Sequence, residues 1–531
     1  MSAVLRLAGE LTASIMAYRY LVSPCIRWAA RKLGAGDYPQ NSLNGAYPEG
    51  SAARTETIRV VAIVLPATLV LCVIFKFDWE TIALVPGAAL GLVLWKCLTS
   101  DYDVARDISW QRIDRMVALA LGVAAPIYQP LQLAAIIFLC GRLGAWTHHS
   151  KACLRIVKMS CAWMLVDGFA VIAFGSSRPI STTGQLVLFG TVFLSHYVVA
   201  FKTKTVLAGN PWKWIANNRT DLLVANAYAW GWGRFLPQER VSSLIRRLSP
   251  WVVPINTATL VTQALGLVAY TTPWCLITAL MGAIVFNVMV ALLSGLFFWE
   301  NIGIALTIGL TVLCHPQDFS TAFGIAPCGL SIGILLLAIS KWSWKPTGLG
   351  WWDTPYTSRV YWTAVTRSGL VVGLYNNHFS PHDREYGRDL GNYLTTEPVV
   401  TFSMGGVEDS SLKDLLLDMR IHGRDLLDIK DEYGQSKWRA DFVRGHIQYM
   451  RNLIRGLNSG TRKNPLPEGL RWLRAPGGHL YYWGPLPRYE RKKHGAINAV
   501  RVNQREIFFV TSECSWVVLR DELLFQIDTS E

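Results

Sequence analysis

FLSHYVVAFKTKTVLAGNPWKW, from Phe193 to Trp214, is the stretch from which the rest of the chain is read. An apolar run carries His196 inward and meets Lys202 and Lys204 before Gly209-Asn210-Pro211 breaks it. A lysine at the rim of a hydrocarbon layer loses hydration, which disfavours its ammonium form and lets it act as a base near neutral pH. The plainer alternative is that both side chains reach the headgroups as anchors and do nothing else.

Composition supports the hydrocarbon setting. The chain has 531 residues, 51% of them hydrophobic and only 17% charged, whereas soluble domains carry about 25% charged residues. Runs long enough to span lie between Ile58 and Ser340, and none lies from Lys341 to Glu531. The expected architecture is an all-α polytopic membrane domain of roughly eight transmembrane helices, followed by a smaller α+β soluble domain. Residues 1–57 form an N-terminal amphipathic helix and loop, 58–340 the multi-pass body and 341–531 the soluble domain.

The expected spans are Ile58 to Phe75, Thr81 to Leu98, Ile156 to Phe174, a central helix from Gln185 to Lys202, Trp251 to Tyr270, Trp274 to Phe298, Ile302 to Leu313 and Ala322 to Ile339. Met116 to Cys140 carries Pro126 and Pro130, so it is either one kinked span or two short re-entrant limbs. Asp167 within its span needs a basic partner or a wet cavity, and Glu300, between apolar stretches, needs the same. A lysine of the central helix is the expected partner of Glu300.

The net charge of +14 raises nucleic acid as a partner, but no compact nucleic-acid motif accompanies it. Cytoplasmic lysine and arginine account for the excess. They place the N-terminus and residues 100–115, 142–158 and 202–247 on the cytoplasmic side, with the side of the C-terminal domain left open. The 22 tryptophans suit a membrane interface or the wall of a substrate cavity. Nine of ten cysteines precede Lys341 and no CxxC pair is present, so neither a zinc ribbon nor a dithiol redox site is expected.

In the C-terminal part, VYWTAV and LVVGLY flank Arg367-Ser368-Gly369 as a hairpin. Pro398 to Met404, Leu480 to Trp483, Ile507 to Val510 and Trp516 to Leu519 read as short strands, and Leu412 to Ile429 and Trp438 to Leu457 as amphipathic helices. WSWKPTGLGWWDTPY is expected to lie against the membrane. His378, His382, Asp383 and Glu385 have ligand chemistry, but helix capping explains two of them and no metal site is expected. His148-His149 point to different sides of a helix and make a poor metal pair.

The span ending in AFK with its lysines, the tryptophan-bearing NPWKW, two further spans and the polar break in LLSGLFFWENIGI together resemble the horizontally transferred transmembrane helical family. Vitamin K-dependent γ-glutamyl carboxylase is its best-known member, and the resemblance covers roughly Asp101 to Leu313. It implies a lysine, Lys202 or Lys204, as the base that deprotonates a reduced quinone. His196 lies eight residues before Lys204, close to two helical turns, and so is expected to pair with it.

The chain departs from the carboxylase in its Lys202-Thr203-Lys204-Thr205 sequence and in lacking a recognisable propeptide-binding region. Two functions follow as expectations. One is an intramembrane enzyme with Lys202 or Lys204 as base, His196 and Glu300 orienting or balancing charge, and Trp212, Trp214 and Asn301 lining the site of a lipophilic, quinone-like cofactor or substrate. The other is a non-catalytic scaffold or accessory protein for maturing or exporting a secreted peptide or small molecule. Either would be an integral, multi-pass protein of a bacterial cell membrane, with the bilayer as its first partner.

Overall fold

The helix Thr182–Ala208 runs through the middle of the protein in the computed structural model, which describes residues 2–32, 84–99, 108–142, 150–174, 182–346, 348–375, 378, 392–393, 405–419, 426–433, 435–436, 440–460, 468–476, 480 and 484–529. The expected span Ile58 to Phe75, the strand Pro398 to Met404, His148-His149, and His382, Asp383 and Glu385 lie outside the described residues.

The central helix is 27 residues long, and 89% of its apolar window is enclosed by protein, against 33% for Pro273–Ser294. It continues six residues beyond Lys202, so both lysines lie inside the helix rather than at its end. Ser195 and Thr203 do not interrupt it, because their hydroxyls donate to the helix's own carbonyls at Val192 (2.7 Å) and Val199 (2.8 Å). The chain leaves the helix at Gly209, whose φ of +79° suits a residue without Cβ. Asn210 Oδ1 then accepts from Lys213 N at 2.8 Å and starts the next helix, Pro211–Asn217.

Among the described residues, three helices are long and apolar enough to cross a membrane: Lys151–Ala173, Thr182–Ala208 and Pro273–Ser294. Four other expected segments form five shorter apolar helices among the described residues, including Val85–Thr99, Trp299–Cys314 and Ile325–Ile339. The Met116 to Cys140 stretch is two helices, Ile108–Ile127 and Leu131–Arg142, broken at Tyr128-Gln129-Pro130. Proline cannot donate to the preceding turn, and the second limb restarts from it. The N-terminal helix Ser2–Ala17 buries Leu7, Leu11 and Ile15 against Lys151–Phe174, so its apolar face is covered by protein.

The C-terminal part is built on one antiparallel sheet. Its strands are β2 (Tyr356–Thr366), β3 (Val371–Leu374), β7 (Ile497–Val510) and β8 (Ser515–Asp528), in the order β3-β2-β7-β8. The β2–β3 hairpin turns at Arg367-Ser368-Gly369, as its sequence implies. Two further two-stranded ladders join β1 (Trp352–Asp353) to β5 (Gly406–Val407) and β4 (Asn392–Tyr393) to β6 (Gln435–Ser436).

The two short strands expected at Ile507 and Trp516 are the ends of 14-residue strands. The contiguous polar residues Asn503 to Glu506 and Arg520 to Glu522 hide these strands from an apolar-run reading, and two of them, Gln504 and Glu506, are buried. The stretch Leu412 to Ile429 is two helices, Ser410–Asp418 and Leu426–Tyr433, the first capped by Asp409, whose carboxylate accepts from Ser411 N and Leu412 N.

β2 is buried on both faces. Val360 and Trp362 pack with Met450, Leu453 and Ile454 of the helix Ala440–Ser459. The opposite face meets the segment that follows the central helix: Trp230 Nε1 donates to Thr357 Oγ1 at 2.9 Å, and Arg359 Nη1 donates to the Ala229 carbonyl at 3.1 Å. Apolar clusters cross the same seam, with Trp214, Ile215 and Leu260 against Trp352, Tyr356 and Phe508. Burying each such side chain is worth roughly 1.5–3 kcal/mol, so the sheet and the helical body hold each other.

Candidate functional site

Lys204 lies on the face of the central helix that the chain covers when it leaves the helical body. It is 5% exposed, whereas Lys202, two residues earlier and therefore on another face, is exposed. The lysine left open between two positions is thus distinguished by burial. The Lys204 ammonium donates to the Leu349 carbonyl and lies over two indole faces, 5.4 Å from the Trp214 ring and 5.6 Å from the Trp351 ring. Aromatic faces and a carbonyl satisfy an ammonium without neutralising it.

The strap that supplies Leu349 and Trp351 lies flat against the central helix because Gly348 and Gly350 leave room for Thr203. The Trp214 indole N–H in turn donates to the Trp351 carbonyl at 3.2 Å. Behind Trp351 stands Asp353, whose Oδ1 accepts from Trp351 Nε1 at 2.9 Å and whose Oδ2 accepts from Asn218 Nδ2 at 2.8 Å. Asn218 Oδ1 accepts from Asp353 N at 2.9 Å, which closes a reciprocal pair. Burial pushes the Asp353 carboxyl up to about 6, opposed by these two donated hydrogen bonds and by the Lys204 charge. Asn256 completes the seam by donating from Nδ2 to the carbonyls of Ile215 and Asn218, each at 2.9 Å.

The other expected site residues stand elsewhere. His196 does not pair with Lys204: Arg155 Nη1, on the helix Lys151–Phe174, donates to His196 Nε2 at 2.7 Å. A guanidinium has no acceptor, so this ring nitrogen carries no proton. Arg155 Nη2 reaches on to the Lys345 carbonyl at 2.5 Å. Eight residues do place His196 and Lys204 near one face, but they also separate them by roughly 12 Å along the axis.

Glu300 is buried as a salt bridge with Lys96 of the helix Leu84–Thr99, at 2.8 Å, and not with a lysine of the central helix. Ser150 Oγ donates to the same carboxylate oxygen at 3.0 Å. Asn301 is half-buried and its side chain reaches the Tyr197 hydroxyl. Trp212 is 73% exposed and lines nothing, whereas Trp214 is buried in the box. Asp167 is half-buried.

No protein-family model, curated protein or solved structure matches the chain. The site has to be read from its own chemistry. Among the described residues no group of three histidine, cysteine, aspartate or glutamate side chains is placed to hold a metal ion. His378 is structural: its Nδ1 accepts from Tyr375 N at 3.3 Å and its Nε2 lies 3.1 Å from the Tyr489 carbonyl.

Three of the four catalytic candidates therefore belong to three separate places, the Lys204 box, the His196–Arg155 contact and the Lys96–Glu300–Ser150 cluster, and the fourth, Lys202, is exposed outside all of them. Trp351, Asp353, Asn218, Arg155 and Lys96 were missed by sequence reasoning. The tryptophan pair WWDTPY carried a signal, since two adjacent indoles followed by an acid beside a spanning body suggest a wall and a charge; the partners themselves are tertiary.

Proposed function

We propose that the chain is a multi-pass protein of a bacterial cell membrane, of the horizontally transferred transmembrane helical type, in which Lys204 is a base acting on a lipophilic, quinone-like acid. The observation that carries this reading is a buried lysine faced by two indoles and a carbonyl, with the carboxylate behind Trp351, Asp353, held by other donors. Such an ammonium is solvated well enough to exist, yet its proton is not committed to a direct ion pair. Trp214 and Trp351 would stack against a planar ring, Lys204 Nζ, starting as the neutral amine, would take its acidic proton and become the ammonium, and Asp353 would balance that new charge through the indole and amide that hold it. His196 and Glu300 take no part, because each is engaged by a partner outside the box.

A second reading draws on the same geometry. The hydrogen bond of Lys204 and one of its two indole contacts go to the strap that leads into the sheet, which also suits a latch that docks the C-terminal domain of a non-catalytic scaffold or accessory protein.

The two readings part in one experiment. Lipophilic compounds are extracted from the purified wild-type protein and from its Lys204→Met and Lys202→Met variants and identified by mass spectrometry, while proteolysis of each sample follows docking of the strap. A quinone or other acidic lipophile retained by wild type and Lys202→Met but lost from a docked Lys204→Met supports the base. Bulk phospholipid alone in all three samples, with the strap of Lys204→Met cleaved faster, supports the latch and sinks the base.

A further inference from the structure

Away from Lys204, three arginines converge where the sheet meets the turn at residues 231–237, between the helices Thr220–Trp230 and Gln238–Leu248. Arg359 of β2 and Arg505 of β7 are directly opposed in the antiparallel register. Like charges in that relation repel. Both guanidiniums lie against one ring, Arg359 with its Cζ 5.2 Å and Arg505 with its Cζ 4.9 Å from the centroid of Tyr361. Arg234 enters from the turn, held by its Nε donating to the Tyr228 carbonyl at 2.9 Å and by stacking 4.3 Å above the Tyr228 ring.

Among the described residues, one carboxylate answers these three cations. Asp521 sits across from Arg505 on β8 and accepts from its Nε at 2.9 Å and its Nη2 at 2.5 Å. Tyr361 donates its hydroxyl to the same residue at 2.8 Å. Among the described residues, Arg359 has no carboxylate in contact. It is 6% exposed, its Nη1 meets the Ala229 carbonyl, and its Nε is buried without a hydrogen-bond partner. Burial, then Arg505 and Arg234, pull its guanidinium down to about 10, so the repulsion is felt at the buried member of the set.

A sheet does not oppose two arginines and add a third beside them to stabilise itself, since each buried charge without a counterion is costly. A compact anion with several oxygens removes the conflict, because guanidinium forks match its geometry and its charge offsets theirs. We propose that Arg234, Arg359 and Arg505 form a binding site for a phosphate-bearing anion at this seam. The site is independent of what Lys204 does.

Its position suggests two sources for the phosphate. The turn is tied to the end of the spanning-length helix Pro273–Ser294 by Trp232 Nε1, which donates to the Leu292 carbonyl at 2.8 Å, and Phe235 beside Arg234 is exposed. A phospholipid headgroup would reach Arg234 from that level if the helix crosses a bilayer. A soluble phosphate or phosphomonoester would arrive from the side of the sheet.

The test uses the full chain in a nonionic detergent, with thermal unfolding followed during titration with sodium phosphate at constant ionic strength and, separately, with short-chain phosphatidylglycerol. The expected result is a saturable rise in midpoint with at least one ligand, with half-saturation at least tenfold weaker in Arg234→Gln, a half-buried position whose change leaves the sheet intact. Asp521→Ala removes the competing carboxylate and should tighten half-saturation several-fold, which a purely structural role of the arginines would not do. Saturation by phosphate assigns a soluble ligand, and saturation by phosphatidylglycerol alone assigns a headgroup. No saturable rise with either ligand, or titrations unchanged in both variants, overturns the site.

Discussion

Lys96 and Glu300, 204 residues apart in sequence, form a buried ion pair at 2.8 Å, and the hydroxyl of Ser150 donates to the carboxylate oxygen that Lys96 holds. Three helical segments are joined at this point. Lys96→Met leaves the carboxylate buried without its cation, so stability should fall by about 3–5 kcal/mol. Adding Glu300→Gln removes the stranded charge while keeping an acceptor for Ser150, and should recover more than half of that loss. Denaturant unfolding of both variants checks the coupling; equal stability of the single and double variants would show that the pair is not coupled.

That cluster also shows what could be read from the chain alone. Glu300 between apolar stretches announces that it needs a base, but the choice of Lys96 over a central-helix lysine depends on which helices are neighbours. The central helix itself was legible, because its apolar run is continuous and its stop is Gly209-Asn210-Pro211. Its end was expected at Lys202, where charge interrupts the apolar run, whereas the helix continues to Ala208 and Thr203 bonds back to it at Val199. The hairpin at Arg367-Ser368-Gly369 was legible for the same local reason. The Asn218–Asp353 pair was not, since its two members are 135 residues apart and neither carries a local signal of the other.

Asp353 should impose a pH dependence on the seam. Its carboxyl is raised to about 6 in the folded protein by burial, against about 3.9 in an unfolded chain. Between those values the unfolded chain releases its proton first. Stability is therefore full below about pH 4 and falls as pH rises through about 6, by about 3 kcal/mol from this group. Asp353→Asn should abolish that slope while lowering stability at all pH values, because an amide cannot accept from both Asn218 and Trp351. Denaturant unfolding across this range measures it, and an unchanged slope in the variant would assign the dependence elsewhere.

His446 acts with the opposite sign. It is buried in the helix Ala440–Ser459, its Nε2 accepts from Trp362 Nε1 at 3.0 Å, and burial pulls it down to about 3. An unfolded histidine titrates near 6.5. Its contribution is present above about pH 6.5 and is lost as pH falls toward about 3, at roughly 1.4 kcal/mol per unit. His446→Gln keeps an acceptor for Trp362 and removes the titration, so the variant should lose less stability than wild type between pH 6 and pH 4, as read by unfolding of the two proteins side by side.

The strap offers the last handle on Lys204 without touching the lysine. A Cβ at Gly350 would stand 2.7 Å from Thr203 Cγ2, 3.0 Å from the Thr203 carbonyl carbon and 3.1 Å from Lys204 N. The methyl of threonine can rotate, but the helix backbone behind it cannot, so Gly350→Ala must lift the strap. Leu349 and Trp351 move with it, and Lys204 loses its carbonyl and one of its two indole faces. The cost should be about 1–3 kcal/mol, as for other overpacked contacts. Tryptophan emission should shift to the red as Trp351 gains water, and Lys204 should become open to a water-soluble acylating reagent. Thr203→Ser, which removes the Cγ2 methyl but not the backbone, should restore only part of the loss. Full restoration by Thr203→Ser would show that the methyl alone holds the strap off, and an unshifted emission in Gly350→Ala would show that the strap does not depend on this contact at all.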